Sequence, residues 1–470
     1  MRYPKLREAC GIFGVYAPGE DVARLTYFGI YALQHRGQES AGIATSDGSR
    51  IRLHASMGLV AQVFNESILD QLRGCIAIGH NRYSTTGSSR VVNAQPIVVS
   101  SPLGDIALAH NGNLVNAAYL RRELEEKGCT FGSTTDSETI AHLIAMAPKM
   151  SLADRVKFAM GKLVGAYSIV AMTKDKLVGV RDPLGVRPLC MGALDGGWAM
   201  ASESCALDHL GASSLREIGP GEVVQVDATG VKESIAGTSD RKGFCIFEYI
   251  YFARPDSVIN GRRLYPARQA MGVELAREHP VDADLAIGVP DSATAAGIGY
   301  SLASGIPFSE GLLKNRYVGR TFIEPEQRLR DLGVKLKFNA MTEVISGKRL
   351  VVVDDSIVRG TTTPQVISML RKAGAKEVHM RICAPPIRYP CFFGVDMATR
   401  GELIAARKTI PEIADAIGAD SLGYLSLEGL IRAVSLPRDL FCLACFTGDY
   451  PVPVQLEMDK LALESLPGAN

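Results

Sequence analysis

Two stretches of this chain hold residue types that packing alone does not call for. Cys10 and Gly11 open a short apolar run, CGIFGVY, behind nine preceding residues. Such a cysteine is either a small hydrophobe starting a buried strand or a thiol that chain cleavage would turn into a reactive N-terminus. Much further along, RLVVVDDSIVRGTTT (349–363) ends an apolar run in Asp354 and Asp355, followed by Ser356, Arg359, Gly360, Thr361, Thr362 and Thr363. Strand, loop and helix in that order offer backbone N–H groups and threonine hydroxyls to a phosphate at the positive end of a helix dipole. The paired acids would repel that phosphate; they suit hydrogen bonds from two sugar hydroxyls, or a divalent cation. No GxxxxGK[ST] occurs, so a Walker-type nucleotide site is excluded.

Other clusters are weaker alone. QHRGQESAGIA (34–44), GHNRYSTTG (79–87), AHNGNLVN (109–116) and STTDSE (133–138) each set polar residues beside apolar ones. Taken singly, Arg82 reads as an ion-pair partner and Asp136 as a helix N-cap. Cys442-Leu-Ala-Cys445 is a CxxC, a spacing found in metal and redox sites. Iron–sulfur, zinc and plain packing are all open to it.

The elements that must position these residues follow from periodicity. The first half has many short apolar runs between glycine-rich turns, with helical spacing in DVARLTYFGIYALQH and NAAYLRRELEEKG, which predicts layered sheets with helices outside. From about residue 280 the rhythm becomes strand, glycine-rich turn and amphipathic helix, which predicts a parallel α/β sheet. The polar stretch 226–243 reads as the linker. The expected domains are therefore 10–238 and 239–470, after a leader of residues 1–9.

At 470 residues the chain is long enough for two or three cores. Its formal net charge of +1 gives no reason to expect nucleic acid or an anionic membrane as partner, and no apolar run approaches twenty residues. A cytoplasmic location is expected, with the ten cysteines reduced.

The 349–363 loop resembles that of type I phosphoribosyltransferases. This resemblance implies that Ser356 through Thr363 hold the 5-phosphate of 5-phosphoribosyl-1-pyrophosphate (PRPP) and that Asp354 and Asp355 hold its ribose hydroxyls. It also implies that Ser292 of VPDSATAAG joins Asp354 and Asp355 around Mg2+, and that segment 314–339 closes as a flap. The polar clusters of the first half, taken with Cys10, resemble the class II glutamine amidotransferases, which are N-terminal nucleophile hydrolases. There Cys10, freed of residues 1–9, is the nucleophile, its own α-amine the base, Asn111 and Gly112 the oxyanion hole, and Arg82 and Asp136 the glutamine-binding pair.

The two halves together resemble the amidophosphoribosyltransferase family (glutamine PRPP amidotransferases), in its iron–sulfur branch with a cleaved propeptide. The fold implied is an αββα Ntn-hydrolase glutaminase domain (α+β) followed by a parallel-sheet (α/β) phosphoribosyltransferase domain. The activity implied is the transfer of glutamine nitrogen to PRPP, the first step of purine synthesis. Tyr265 is implied near the PRPP site, and Cys245, Cys391, Cys442 and Cys445 as ligands of one [4Fe–4S] cluster per subunit. A homotetramer inhibited by purine nucleotides completes the expectation. A PRPP-sensing, DNA-binding regulator fits poorly with near-zero net charge.

Overall fold

The computed structural model describes residues 10–83, 87–101, 104–315, 338–395, 399–454 and 463. The apolar runs of the first half form strands β1 (Gly11–Tyr16), β2 (Ser40–Ser46), β3 (Ile51–Met57), β4 (Ile76–Arg82), β5 (Ile97–Val99), β6 (Ile106–Leu114), β7 (Gly165–Met172), β8 (Leu177–Arg181), β9 (Cys190–Leu194), β10 (Gly197–Ala201), β11 (Ser213–Glu217), β12 (Glu222–Asp227) and β13 (Gly230–Ile235). They assemble into a seven-stranded sheet, in order β11-β9-β10-β1-β4-β2-β3, and a six-stranded one, β13-β12-β8-β7-β6-β5.

Both faces of the central strands are buried because the two sheets stack. Ile12 and Ile78 of one sheet meet Ala107, Val170 and Leu177 of the other in one apolar layer. On its outer face the first sheet is covered by helix Val22–Ala32, where Asp21 caps the N-terminus by accepting from Arg24 N–H at 3.0 Å. The second is covered by helices Ala117–Glu126, Asp136–Ala145 and Leu152–Met160. The result is the expected αββα layering.

In the second half, strands Leu285–Gly288, Arg349–Asp354, Glu377–Ile382 and Ser421–Tyr424 form a wholly parallel sheet in that spatial order. Their burial on both faces explains the unbroken apolar run LVVV, which alternation would otherwise interrupt. Helices Leu264–Glu278, Thr294–Ser304 and Thr363–Lys372 contribute Leu275, Tyr300 and Leu370 to the same core.

One expectation is corrected. Residues 226–235 of the polar stretch are not a linker: β13 pairs antiparallel with β12 from Glu222↔Ile235 to Asp227↔Gly230. As an edge strand, β13 leaves much of itself in water, which made it read as loop. The leader 1–9 and most of the expected flap 314–339 lie outside the described residues.

Candidate functional site

Cys10 sits immediately before β1, whose Gly11 pairs with Asn81 of β4. That register brings the thiol to the end of β4, where it donates to Tyr83 O at 3.2 Å while Tyr83 N–H donates to Sγ at 3.4 Å. Burial pushes the Cys10 thiol above its ordinary range; the Tyr83 backbone bond and Arg82 act against that rise. A thiol so placed needs a base before it can attack anything near neutral pH. Cys10 lines a pocket with Arg82, Gln95, Gly112, Thr135 and Asp136.

Arg82 ends β4, and its guanidinium donates to the carbonyls of Ser88 (3.1 Å) and Gly87 (3.4 Å). Asp136 opens its helix rather than capping it, with Thr135 at the N-cap, and its Oδ2 accepts from Leu114 N–H at 3.0 Å. Guanidinium, carboxylate and thiol on one small pocket suit a zwitterionic amino acid presented to a nucleophile.

Asn111 and Gly112 lie on β6. Among the described residues, Asn111 Nδ2 is buried with no hydrogen-bond partner. Leaving a donor so costs about 1–3 kcal/mol, and active sites keep such donors where negative charge will develop. Gly112 has φ +151°, and a Cβ there would stand 2.0 Å from Ala166 O, so only glycine fits.

Two residues that sequence reasoning missed steady the preceding residue. His110 N–H donates to Gln95 Oε1 at 2.8 Å, and His110 O accepts from His80 Nε2 at 3.1 Å. A carbonyl only accepts, so His80 carries its proton on Nε2. Burial holds the His80 pKa down at about 3, keeping the ring neutral. The only signal for either was a polar residue inside a buried stretch, GHNR and NAQP.

The second centre stands at the carboxyl end of strand Arg349–Asp354. Asp355 N–H donates to Asp354 Oδ1 at 2.9 Å, Ser356 Oγ donates to Asp355 Oδ1 at 2.5 Å, and Ser292 Oγ donates to Asp355 Oδ2 at 2.6 Å. Ser292 arrives because strand Leu285–Gly288 pairs in parallel with Leu350–Val353 and its following turn ends at the same edge. The loop climbs through Gly360 (φ +69°) and Thr361 to Thr362, the N-cap of helix Thr363–Lys372, with Pro364 in the first turn as its fixed φ favours. Arg359 is turned outward to Glu402, at 2.7 Å. Tyr265 is 39% exposed and lies in the first turn of helix Leu264–Glu278.

A buried charge network runs from the Cys10 carbonyl into the second half of the chain. Arg36 donates through Nε to Cys10 O (3.0 Å) and through its terminal nitrogens to Glu203 (2.5 Å) and Glu248 (2.8 Å). Glu248 also holds Arg187 at 3.3 Å. Glu203 further accepts from Arg254 N–H and Ser257 Oγ.

Cys245 and Cys442 are register partners in a short parallel pair, and both pack with Cys391 on the apolar group of Leu184, Val186 and Phe393. Burial pushes the Cys445 thiol well up, and Cys442, Cys245 and Cys391 push it further. All are free thiols. Among the described residues no group of three or more His, Cys, Asp or Glu side chains is arranged to hold a metal ion.

Residues 80–209 match a glutamine amidotransferase domain. The amidophosphoribosyltransferase of Synechocystis sp. is 53% identical over 98% of this chain and 95% of its own. That of Methanocaldococcus jannaschii is 51% identical over 95% and 98%. Among solved structures, the Bacillus subtilis glutamine PRPP amidotransferase complexed with ADP and GMP is 45% identical, with a TM-score of 0.89 over 95% of this chain and 98% of that one.

Proposed function

Because the chain belongs to the amidophosphoribosyltransferase family, we propose a division of labour among its residues for that family's reaction. The enzyme converts glutamine, PRPP and water into 5-phosphoribosylamine, glutamate and pyrophosphate, the first step of purine synthesis. The observation that carries the residue assignment is the pocket that groups Cys10 with Arg82, Asp136 and Gly112.

In this reading the chain is cut between Ala9 and Cys10 by the cysteine itself. The new α-amine, of pKa roughly 7.7–8.0, takes the thiol proton as sulfur adds to the glutamine carboxamide. Asn111 Nδ2–H and Gly112 N–H receive the charge that develops on oxygen, Arg82 binds the glutamine carboxylate, and Asp136 binds its ammonium. The amine returns the proton to the leaving ammonia, and water then hydrolyses the thioester to glutamate. Ammonia must reach the anomeric carbon of PRPP without passing through bulk water.

At the second centre, Asp354 and Asp355 bind the ribose hydroxyls and the loop from Ser356 through Arg359, Gly360, Thr361, Thr362 and Thr363 binds the 5-phosphate, with Tyr265 beside them. Ser292, Asp354 and Asp355 would hold Mg2+, which neutralises the departing pyrophosphate. The Ser292–Asp355 hydrogen bond supports this, since it already joins two oxygen ligands suited to a hard cation.

Cys245, Cys391, Cys442 and Cys445 would hold a [4Fe–4S] cluster, which ties the 245, 391 and 442–445 segments together. The register pairing of Cys245 with Cys442 and the packing of both with Cys391 support this, since they draw three of the four thiols into one apolar setting and thiolates are the ligands such a cluster would take. We further propose domains at 10–238 and 239–470, a homotetramer, and feedback by purine nucleotides in the cytoplasm. The test of the two-centre scheme is Cys10→Ala: glutamine-dependent synthesis is lost while synthesis from free ammonia persists, and loss of both overturns it.

A further inference from the structure

The strand that carries Asn111 and Gly112 does not end its contacts within the first half of the chain. Asn113 Nδ2 donates to Phe392 O at 3.0 Å, across 279 positions of sequence. Arg187 donates to Phe393 O at 3.0 Å. Phe393 itself is buried against Ala166, Leu184 and Val186. Gly394 has φ +95°, and a Cβ on it would stand 3.0 Å from both C and O of Gly112. Phe392 and Gly394 of the second half thus meet β6, at the Asn113 side chain and at the peptide that follows Gly112, while Phe393 between them is anchored by Arg187 and its apolar neighbours.

We propose that loop Phe392–Gly394 is a positioning element for glutamine hydrolysis, setting the backbone of Gly112 from the phosphoribosyltransferase half. On the same strand His80 and Gln95 fix His110, so residues 110–113 are held by contacts from both halves of the chain. A donor to a developing oxyanion has to be correct to a fraction of an ångström, and its support must be rigid before the reaction begins. The inference rests on the assignment of Cys10, Asn111 and Gly112 given above.

Full-length Gly394→Ala and Asn113→Leu test it separately. The first adds bulk against Gly112; the second removes the bond to Phe392 O without touching the loop. Each lowers kcat for glutamine hydrolysis about tenfold, with KM for glutamine changed less than threefold because Arg82 and Asp136 are untouched, and with ammonia-dependent synthesis kept within twofold. Gly418→Ala controls for strain alone: Gly418 has φ +77° with nothing within 4 Å of a Cβ, and it leaves glutamine kcat intact. Unchanged glutamine kcat in both variants, or equal loss of the two activities in both, overturns the proposal. Cys10→Ala, measured alongside, reports on the underlying assignment: if it retains glutamine hydrolysis, that assignment fails whatever Gly394→Ala does.

Discussion

Ser292 and Asp355 meet through a 2.6 Å hydrogen bond between the turn after one parallel strand and the end of its neighbour. Each belongs to a different strand-to-helix connection, so the bond fixes the spacing of two loops that must share one ligand. Parallel α/β sheets bind at this edge because the strands all end there.

Ser292→Ala removes a bond to a charged carboxylate, an interaction of about 1.5–3 kcal/mol. KM for PRPP should rise on the order of 10-fold to 100-fold, and the Mg2+ requirement with it. Glutamine-dependent and ammonia-dependent synthesis should fall together. Steady-state kinetics with both nitrogen donors checks this; a defect confined to glutamine would place Ser292 outside the PRPP site.

Arg82→Lys keeps the charge and loses the planar fork that meets a carboxylate with two bonds. KM for glutamine should rise by roughly tenfold or more, about 1.4 kcal/mol per factor of ten. Synthesis from ammonia should be unaffected, since Arg82 lies on the Cys10 pocket.

His80 makes stability depend on pH. Burial holds its folded pKa at about 3, against roughly 6.5 for an unfolded histidine. Between those values the unfolded chain binds a proton that the folded chain does not, so this contribution is complete above pH 6.5 and shrinks as the solution is acidified. At pH 5 the loss is about 2 kcal/mol. Urea midpoints at pH 7 and pH 5 should therefore fall further for the unaltered protein than for His80→Gln. Parallel falls would mean that His80 is not the group responsible.

Purification without oxygen should give a brown protein with about four irons and four sulfides per chain and a first residue of cysteine. Replacing Cys442 by serine should abolish the iron. A colourless protein with one zinc per chain would establish the other metal open to this set.

Much of this was legible in the sequence because local rules suffice for it. Each apolar run in the first half became a strand, and LVVV followed by paired acids became the central parallel strand with its loop. Arg82 and Asp136 could be named only through a motif, since nothing local brings residues 54 positions apart to one pocket. Glu203 and Glu248 went unnoticed for a related reason. An acid inside an apolar run looks like a solvated surface charge until its partners are known, and Arg36 and Arg187 lie far away in sequence. Arg359 of the phosphate loop pairs with Glu402, a contact that depends on how segment 400–402 folds back and that no local pattern carries. Edge strand β13 was missed because exposure and irregularity leave the same polar composition.

The Arg36–Glu248–Arg187 triad has a consequence for inheritance. With Glu203, which also pairs with Arg36, the first half brings Arg36, Arg187 and Glu203 to this network, a sum of one positive charge; Glu248, from the second half, cancels it. Removing one partner from such a buried set costs about 3–5 kcal/mol, a large part of a typical domain's total stability. The two halves each have a sheet and a core, yet separating them would leave Arg36 and Arg187 buried without Glu248. They should melt in a single cooperative transition, and a gene split near codon 239 should yield fragments that persist only as a reassembled pair.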